Sequence, residues 1–105
     1  MLYKAVRIIA RNTLAAFWGL HPKSKASLER WHGLVKAASW QSMEDVRAAF
    51  ANAKILNGER VRFEVAGGNF RLIAAFDFER QIVYVKFLGT HAEYDAVDAL
   101  TVAQF

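Results

Sequence analysis

The stretch that decides the fold runs from Arg60 to Asp95. It reads Arg60-Val61-Arg62-Phe63-Glu64-Val65, then Asn69-Phe70-Arg71-Leu72-Ile73-Ala74-Ala75-Phe76-Asp77-Phe78, then Gln81-Ile82-Val83-Tyr84-Val85-Lys86-Phe87-Leu88-Gly89-Thr90-His91-Ala92-Glu93-Tyr94-Asp95. Side chains alternate in character here with a period of two, the signature of β-strands. Val61, Phe63 and Val65 point one way, and Arg60, Arg62 and Glu64 the other. Asn57-Gly58 opens the run as a turn, Gly67-Gly68-Asn69 joins the first two strands as a hairpin, and Asp77 to Gln81 turns into the third. Short connections make this sheet a mostly antiparallel meander.

Working outward toward the N-terminus, the period changes to that of helices. Asn12 or Thr13 is expected to cap a helix carrying Leu14, Phe17 and Trp18 on its apolar side. His21-Pro22 ends it, because the residue before proline avoids the helical region, and Pro22 suits the first turn of the next helix. That helix is expected to bury Leu28, Trp31, Leu34 and Val35. Ser42-Met43-Glu44-Asp45 has the form of a capping box for a third helix with Val46 and Phe50 inside. Residues 3–9 read as a short first strand. Helices first and strands after predict an α+β domain over residues 1–105, its helices packed on one sheet face.

The composition bounds what such a domain does. At 105 residues the chain is one domain long and can bury a small core. It has no cysteine, so disulfides, a thiolate metal site and a thiolate nucleophile are excluded. Lys4 and Arg7 interrupt the N-terminal apolar run, which is therefore neither a signal core nor a membrane span, and a cytoplasmic location is expected. The net charge is +4. It is uneven: residues 1–42 carry Lys4, Arg7, Arg11, Lys23, Lys25, Arg30 and Lys36 against the single acid Glu29. A basic domain fits a polyanionic or acidic partner.

Alternation predicts a core face of Val61, Phe63, Val65, Phe70, Leu72, Ala74, Phe76, Val83, Val85 and Phe87. The other face then holds Arg62, Glu64, Arg71, Ile73, Ala75, Ile82, Tyr84, Lys86 and Leu88. It mixes cations for phosphates with flat apolar surface for bases. A slip of one residue would exchange the two sets. The apolar positions Ile73, Ala75, Ile82 and Leu88 are also expected to offer a surface to a protein partner. Thr90 and Glu93 have capping-box spacing, which puts His91 at the first helical position. A helix N-terminus disfavours a positive charge, so His91 is expected to favour its proton-accepting form beside a phosphate. Asp95, one turn on, can orient the imidazole, and Tyr94 lies beside it. His21 and His32 have no such company, and no ligand spacing suggests a metal or other cofactor.

Asn69 to Ile73, Arg80 to Phe87 and Gly89-Thr90-His91-Ala92-Glu93-Tyr94-Asp95 together resemble the HigB toxins of type II toxin–antitoxin systems. So do Ala10-Arg11-Asn12-Thr13-Leu14 and Lys36-Ala37-Ala38-Ser39-Trp40. The resemblance implies a RelE-like fold and a metal-independent mRNA interferase that cleaves mRNA on the ribosome. It also implies a helix-turn-helix antitoxin of the HigA type, with operator DNA bound only through the toxin–antitoxin complex. Within that reaction class, local chemistry nominates His91 as general acid or base, and Arg71 and Lys86 for the phosphate. Tyr84 or Tyr94 would stack on a base or relay a proton. Arg62, Arg80 and Asn69 would hold flanking RNA. Three other readings stay open: a basic RelE-like protein that binds RNA or the ribosome without cutting, a gyrase-directed toxin of the ParE kind, which shares the implied fold, and a structural domain whose mixed face binds a partner.

Overall fold

A computed structural model describes residues 6–105; the predicted first strand therefore lies partly outside the described residues, at 3–5. The chain forms β1 (Arg7–Ile9), α1 (Arg11–Leu20), α2 (Lys25–Ala37), α3 (Met43–Ala49), β2 (Lys54–Ile55), β3 (Arg60–Val65), β4 (Phe70–Asp77), β5 (Ile82–Thr90) and α4 (His91–Asp95). One sheet has the order β1-β5-β4-β3-β2. β1 runs parallel to β5 and every other pairing is antiparallel. The α+β class, the meander and the short final helix agree with the sequence reading, and the arrangement is that of RelE-like toxins. β2 is an added two-residue strand that carries too few residues to show a period.

The helices end where local chemistry ends them. His21 N–H still donates to the Phe17 carbonyl, and Pro22 then opens a single tight turn leading into α2. α1 begins at Arg11 with Ala10 at its cap, so neither Asn12 nor Thr13 caps it. Ser42 precedes α3 without a side-chain cap bond, and the Asp45 carboxylate accepts the Gln41 N–H at 2.8 Å instead of the Ser42 N–H a capping box would use. Leu34 is exposed rather than buried; Leu28, Trp31 and Val35 already fill the inward stripe of α2. Leu14, Leu28, Trp31, Val35 and Val46 pack against Val61, Phe63, Leu72, Ala74, Phe76, Val83 and Val85 of the sheet. Each Val, Leu or Phe side chain so removed from water stabilises the fold by about 1.5–3 kcal/mol.

The face assignment fails at one place. Ile73 pairs with Phe87, but Ala74 pairs with Val85, so Lys86 is an extra residue in β5. Such a β-bulge shifts the alternation by one. Leu88 therefore joins the helix-side core, opposite Leu72, while Phe87 moves to the second face, opposite Ile73 and against the Tyr94 ring. The second face is also covered rather than open. Ile73 is 0% exposed and Ala75 is buried as well, while Leu88 is buried on the helix side, so these positions offer no apolar surface to a partner. Part of the cover is the chain's own segment 96–105, which reaches from β3 to β5: Arg60 Nη1 donates to the carbonyls of Ala99 (3.1 Å) and Val102 (2.8 Å), and Gln104 bonds to β5.

Candidate active site at the start of α4

The β3–β4 hairpin turns through Ala66, Gly67 and Gly68, all with positive φ (52°, 69° and 95°). The two glycines reach that conformation without a Cβ penalty. The turn returns the chain so that Glu64 lies opposite Arg71, and Arg62 opposite Ile73. Arg71 is 8% exposed. Its Nη1 donates to the Gly68 carbonyl at 2.7 Å and stands 3.8 Å from Glu64 Oε1. Arg62 Nη2 stands 3.7 Å from the same oxygen. Glu64 thus lies between two guanidiniums, at distances too long for hydrogen bonds. The Nε atoms of Arg62 and Arg71 are buried and have no hydrogen-bond partner among the described residues. Buried donors of this kind normally have an acceptor.

β5 delivers His91 to the same end of the sheet. Gly89 pairs with Arg71, Thr90 with Phe70, and His91 N–H donates to the Asn69 carbonyl at 3.1 Å. The capping box forms as its spacing predicts: Glu93 N–H donates to Thr90 Oγ1 (3.1 Å), and Thr90 N–H donates to Glu93 Oε1 (2.8 Å). These bonds hold the Glu93 carboxyl below its ordinary range, the Thr90 backbone N–H being the main cause. Gly89 makes the junction possible. A Cβ there would come within 2.7 Å of Phe87 Cζ and 3.0 Å of Glu93 Oε1. One turn into α4, His91 Nδ1 lies 3.1 Å from Asp95 Oδ2, and both side chains are more than half exposed. With Nδ1–H donated to Asp95, Nε2 is the nitrogen left to exchange a proton with a substrate.

The sequence-nominated residues divide into two groups. Asn69, Arg62, Arg71, His91, Tyr94 and Asp95 gather at the hairpin end of β3–β5, with Tyr94 packed on Phe87. Tyr84 and Lys86 lie farther along β5, with Lys86 Nζ 5.2 Å from the Tyr84 ring centroid. Arg80 is not brought to either group. It sits in the β4–β5 turn at the far end of β5, roughly 25 Å from His91 at about 3.3 Å per residue. There its Nη1 donates to Asp77 Oδ2 at 2.9 Å. Glu64 and the Gly68 carbonyl were missed as partners of Arg71. The alternation puts Glu64 on the right face, but nothing local reveals that it would stand between two arginines.

The remaining histidines have structural surroundings. His21 stacks on Phe17 with ring centroids 4.4 Å apart. Burial, with Arg11 and Lys36 adding to it, lowers the His32 pKa. Among the described residues no three His, Asp or Glu side chains stand together as metal ligands, and no helix is long and apolar enough to cross a membrane. A cleft of about 230 Å³ between α2, the residues after α3, and β3 shares only Glu64 with the site residues.

Comparison with known proteins agrees with this architecture. The chain is 32% identical over 78 residues to an mRNA interferase HigB of Escherichia coli O6:H1 (strain CFT073), covering 71% of this chain and 75% of that protein. Residues 24–97, from the start of α2 through α4, match the family described as HigB_toxin, RelE-like toxic component of a toxin-antitoxin system. The chain belongs to the HigB family of RelE-like toxins.

Proposed function

We propose that this toxin is an endoribonuclease that cleaves mRNA by attack of a ribose 2′-hydroxyl on the adjacent phosphate. The observation that carries the assignment to this site is the exposed His91–Asp95 pair just past β5, two residues beyond Gly89, the strand partner of Arg71. Arginine matches the oxygens of an RNA phosphate with paired donors. One group takes the 2′-hydroxyl proton as O2′ bonds to phosphorus. The P–O5′ bond breaks, and a second group protonates O5′, leaving a 2′,3′-cyclic phosphate and a 5′-hydroxyl. His91, oriented by Asp95, takes one of these proton-transfer roles. Arg71 balances the charge that builds on the phosphorane oxygens, and Lys86, farther along β5 over the Tyr84 ring, meets a neighbouring RNA phosphate. Arg62 and Asn69 hold neighbouring RNA, and Tyr94 or Tyr84 presents a ring to a base or relays a proton.

In this reading the substrate is mRNA on the translating ribosome, and a HigA-type helix-turn-helix antitoxin neutralises the enzyme. Operator DNA is contacted only through the toxin–antitoxin complex. The E. coli relative's name, mRNA interferase, supports the reaction class. Primer extension on cellular mRNA after induction without antitoxin tests it: new 5′ ends are expected with the wild type. His91→Ala is expected to lower cleavage by roughly 10²–10⁴-fold, and Arg71→Ala by about 10²-fold or more. Both variants should retain the wild-type circular dichroism spectrum. Wild-type cleavage by both would remove the site assignment. Growth arrest without new 5′ ends, accompanied by a DNA-damage response, would replace the reaction with a gyrase-directed one.

A further inference from the structure

The bulge in β5 has a dedicated fastening. Lys86 is the extra residue there and has no partner in β4. β1 pairs with β5 only from Ile82 to Tyr84, so among the described residues no strand flanks that edge of β5 beyond Tyr84. Gln104 makes two bonds to this part of β5. Its backbone N–H donates to the Lys86 carbonyl at 2.9 Å, and its side-chain Oε1 accepts the Leu88 N–H at 2.8 Å. The two bonds bracket Phe87 and hold the main chain on both sides of the bulge. Gln104 is itself anchored from upstream. Asp98 Oδ1 accepts the Leu100 N–H at 3.0 Å, and Arg60, 8% exposed, donates to the Ala99 and Val102 carbonyls.

A bulge aims a side chain by bending the strand, and its extra residue lacks the ladder bonds that would otherwise fix it. Lys86 also has a long, flexible stem, so where its ammonium dwells depends on how firmly its own backbone is held. We propose that Gln104 is a positioning residue for Lys86: by clamping residues 86–88 it keeps the ammonium over the Tyr84 ring, where it meets the RNA phosphate. The proposal rests on the role given to Lys86 above. Gln104 itself need not touch RNA.

The two bonds are separable by mutation. Gln104→Ala removes the acceptor for Leu88, Gln104→Pro removes the donor to Lys86, and Gln104→Glu keeps both. None of the three removes a core side chain. In the free protein, the Tyr84 ring current should shift the Lys86 ε-methylene protons upfield in NMR spectra. The Ala and Pro variants are expected to lose that shift and to exchange the Leu88 amide faster, while the Glu variant keeps the wild-type values. Cleavage is expected to fall roughly 10-fold or more in kcat/KM, because the displaced ammonium no longer meets the RNA phosphate. The Glu variant should restore kcat/KM.

A wild-type Lys86 shift in both Gln104→Ala and Gln104→Pro overturns the clamp. Wild-type kcat/KM in those variants overturns the positioning role, provided that Lys86→Ala has lost cleavage. If Lys86→Ala instead cleaves as the wild type, the reading of Lys86 fails, and the clamp is decided by the NMR shift alone.

Discussion

At the residue scale, one carboxyl ties the pH response of the site to its geometry. Glu93 accepts the Thr90 N–H, and that bond favours its charged form. Its pKa in the folded chain therefore lies below its unfolded value. The associated stability is fully present above the ordinary carboxylate range and is lost as pH falls through the lowered folded value. Glu93→Gln keeps an acceptor at the same capping position. Near neutral pH it is expected to unfold at a lower urea midpoint than the wild type, because the charged acceptor is gone. The difference should shrink on acidification as the wild-type carboxyl protonates. Parallel acid-side losses in both proteins would remove Glu93 as a source of the response.

At the element scale, the passage from β5 into α4 depends on a missing side chain. Gly89 lies opposite Arg71, where Phe87 and Glu93 fill the space that a Cβ would take. Neither neighbour yields easily. The Phe87 ring is buried against Tyr94, and Glu93 is held by the capping box. Gly89→Ala is expected to destabilise by about 1–3 kcal/mol, the usual cost of overpacking. Urea denaturation measures the loss. Faster exchange of the His91 amide, which donates to Asn69, would locate the damage at the start of α4. The capping box itself was legible in the sequence because Thr90 and Glu93 are three residues apart and satisfy one another. The bulge at Lys86 was not. It arises only because two strands of unequal count must both bury apolar residues: Leu72 and Leu88 on the helix side, Ile73 and Phe87 on the other.

At the scale of the molecule, the sheet has two covered faces instead of one. Helices cover the first, and segment 96–105 lies against the second, held by Arg60. The segment's hold is mostly polar: two bonds from one guanidinium and two through Gln104. Hydrogen bonds to a charged group contribute about 1.5–3 kcal/mol each, so Arg60→Ala is expected to lower the stability measurably. It should also speed amide exchange of residues 100–104 well above the rate set by global unfolding. Exchange there at the wild-type rate would show that the segment is held by other contacts. The cover also explains why the candidate site is narrower than the mixed face suggests. Arg71 and the His91–Asp95 pair stand at one end of the sheet and Arg62 reaches toward Glu64 from opposite Ile73, while Ile73 and Ala75 themselves are shut off.

The sequence by itself determined the α+β class, the meander, the α1 stop at His21-Pro22 and the α4 cap. Each depends on a short-range rule: period, proline geometry, or two groups three residues apart. Its family resemblance carried the toxin assignment, which the comparisons then established. The tertiary structure decided which residues meet. It placed Glu64 between Arg62 and Arg71, left Arg80 paired with Asp77 far from His91, exchanged the faces of Phe87 and Leu88, and brought Gln104 to Lys86. The physical reason is the same in each case. A side chain's face follows from its neighbours until a strand must absorb an extra residue, and a contact between distant positions depends on how the whole sheet closes.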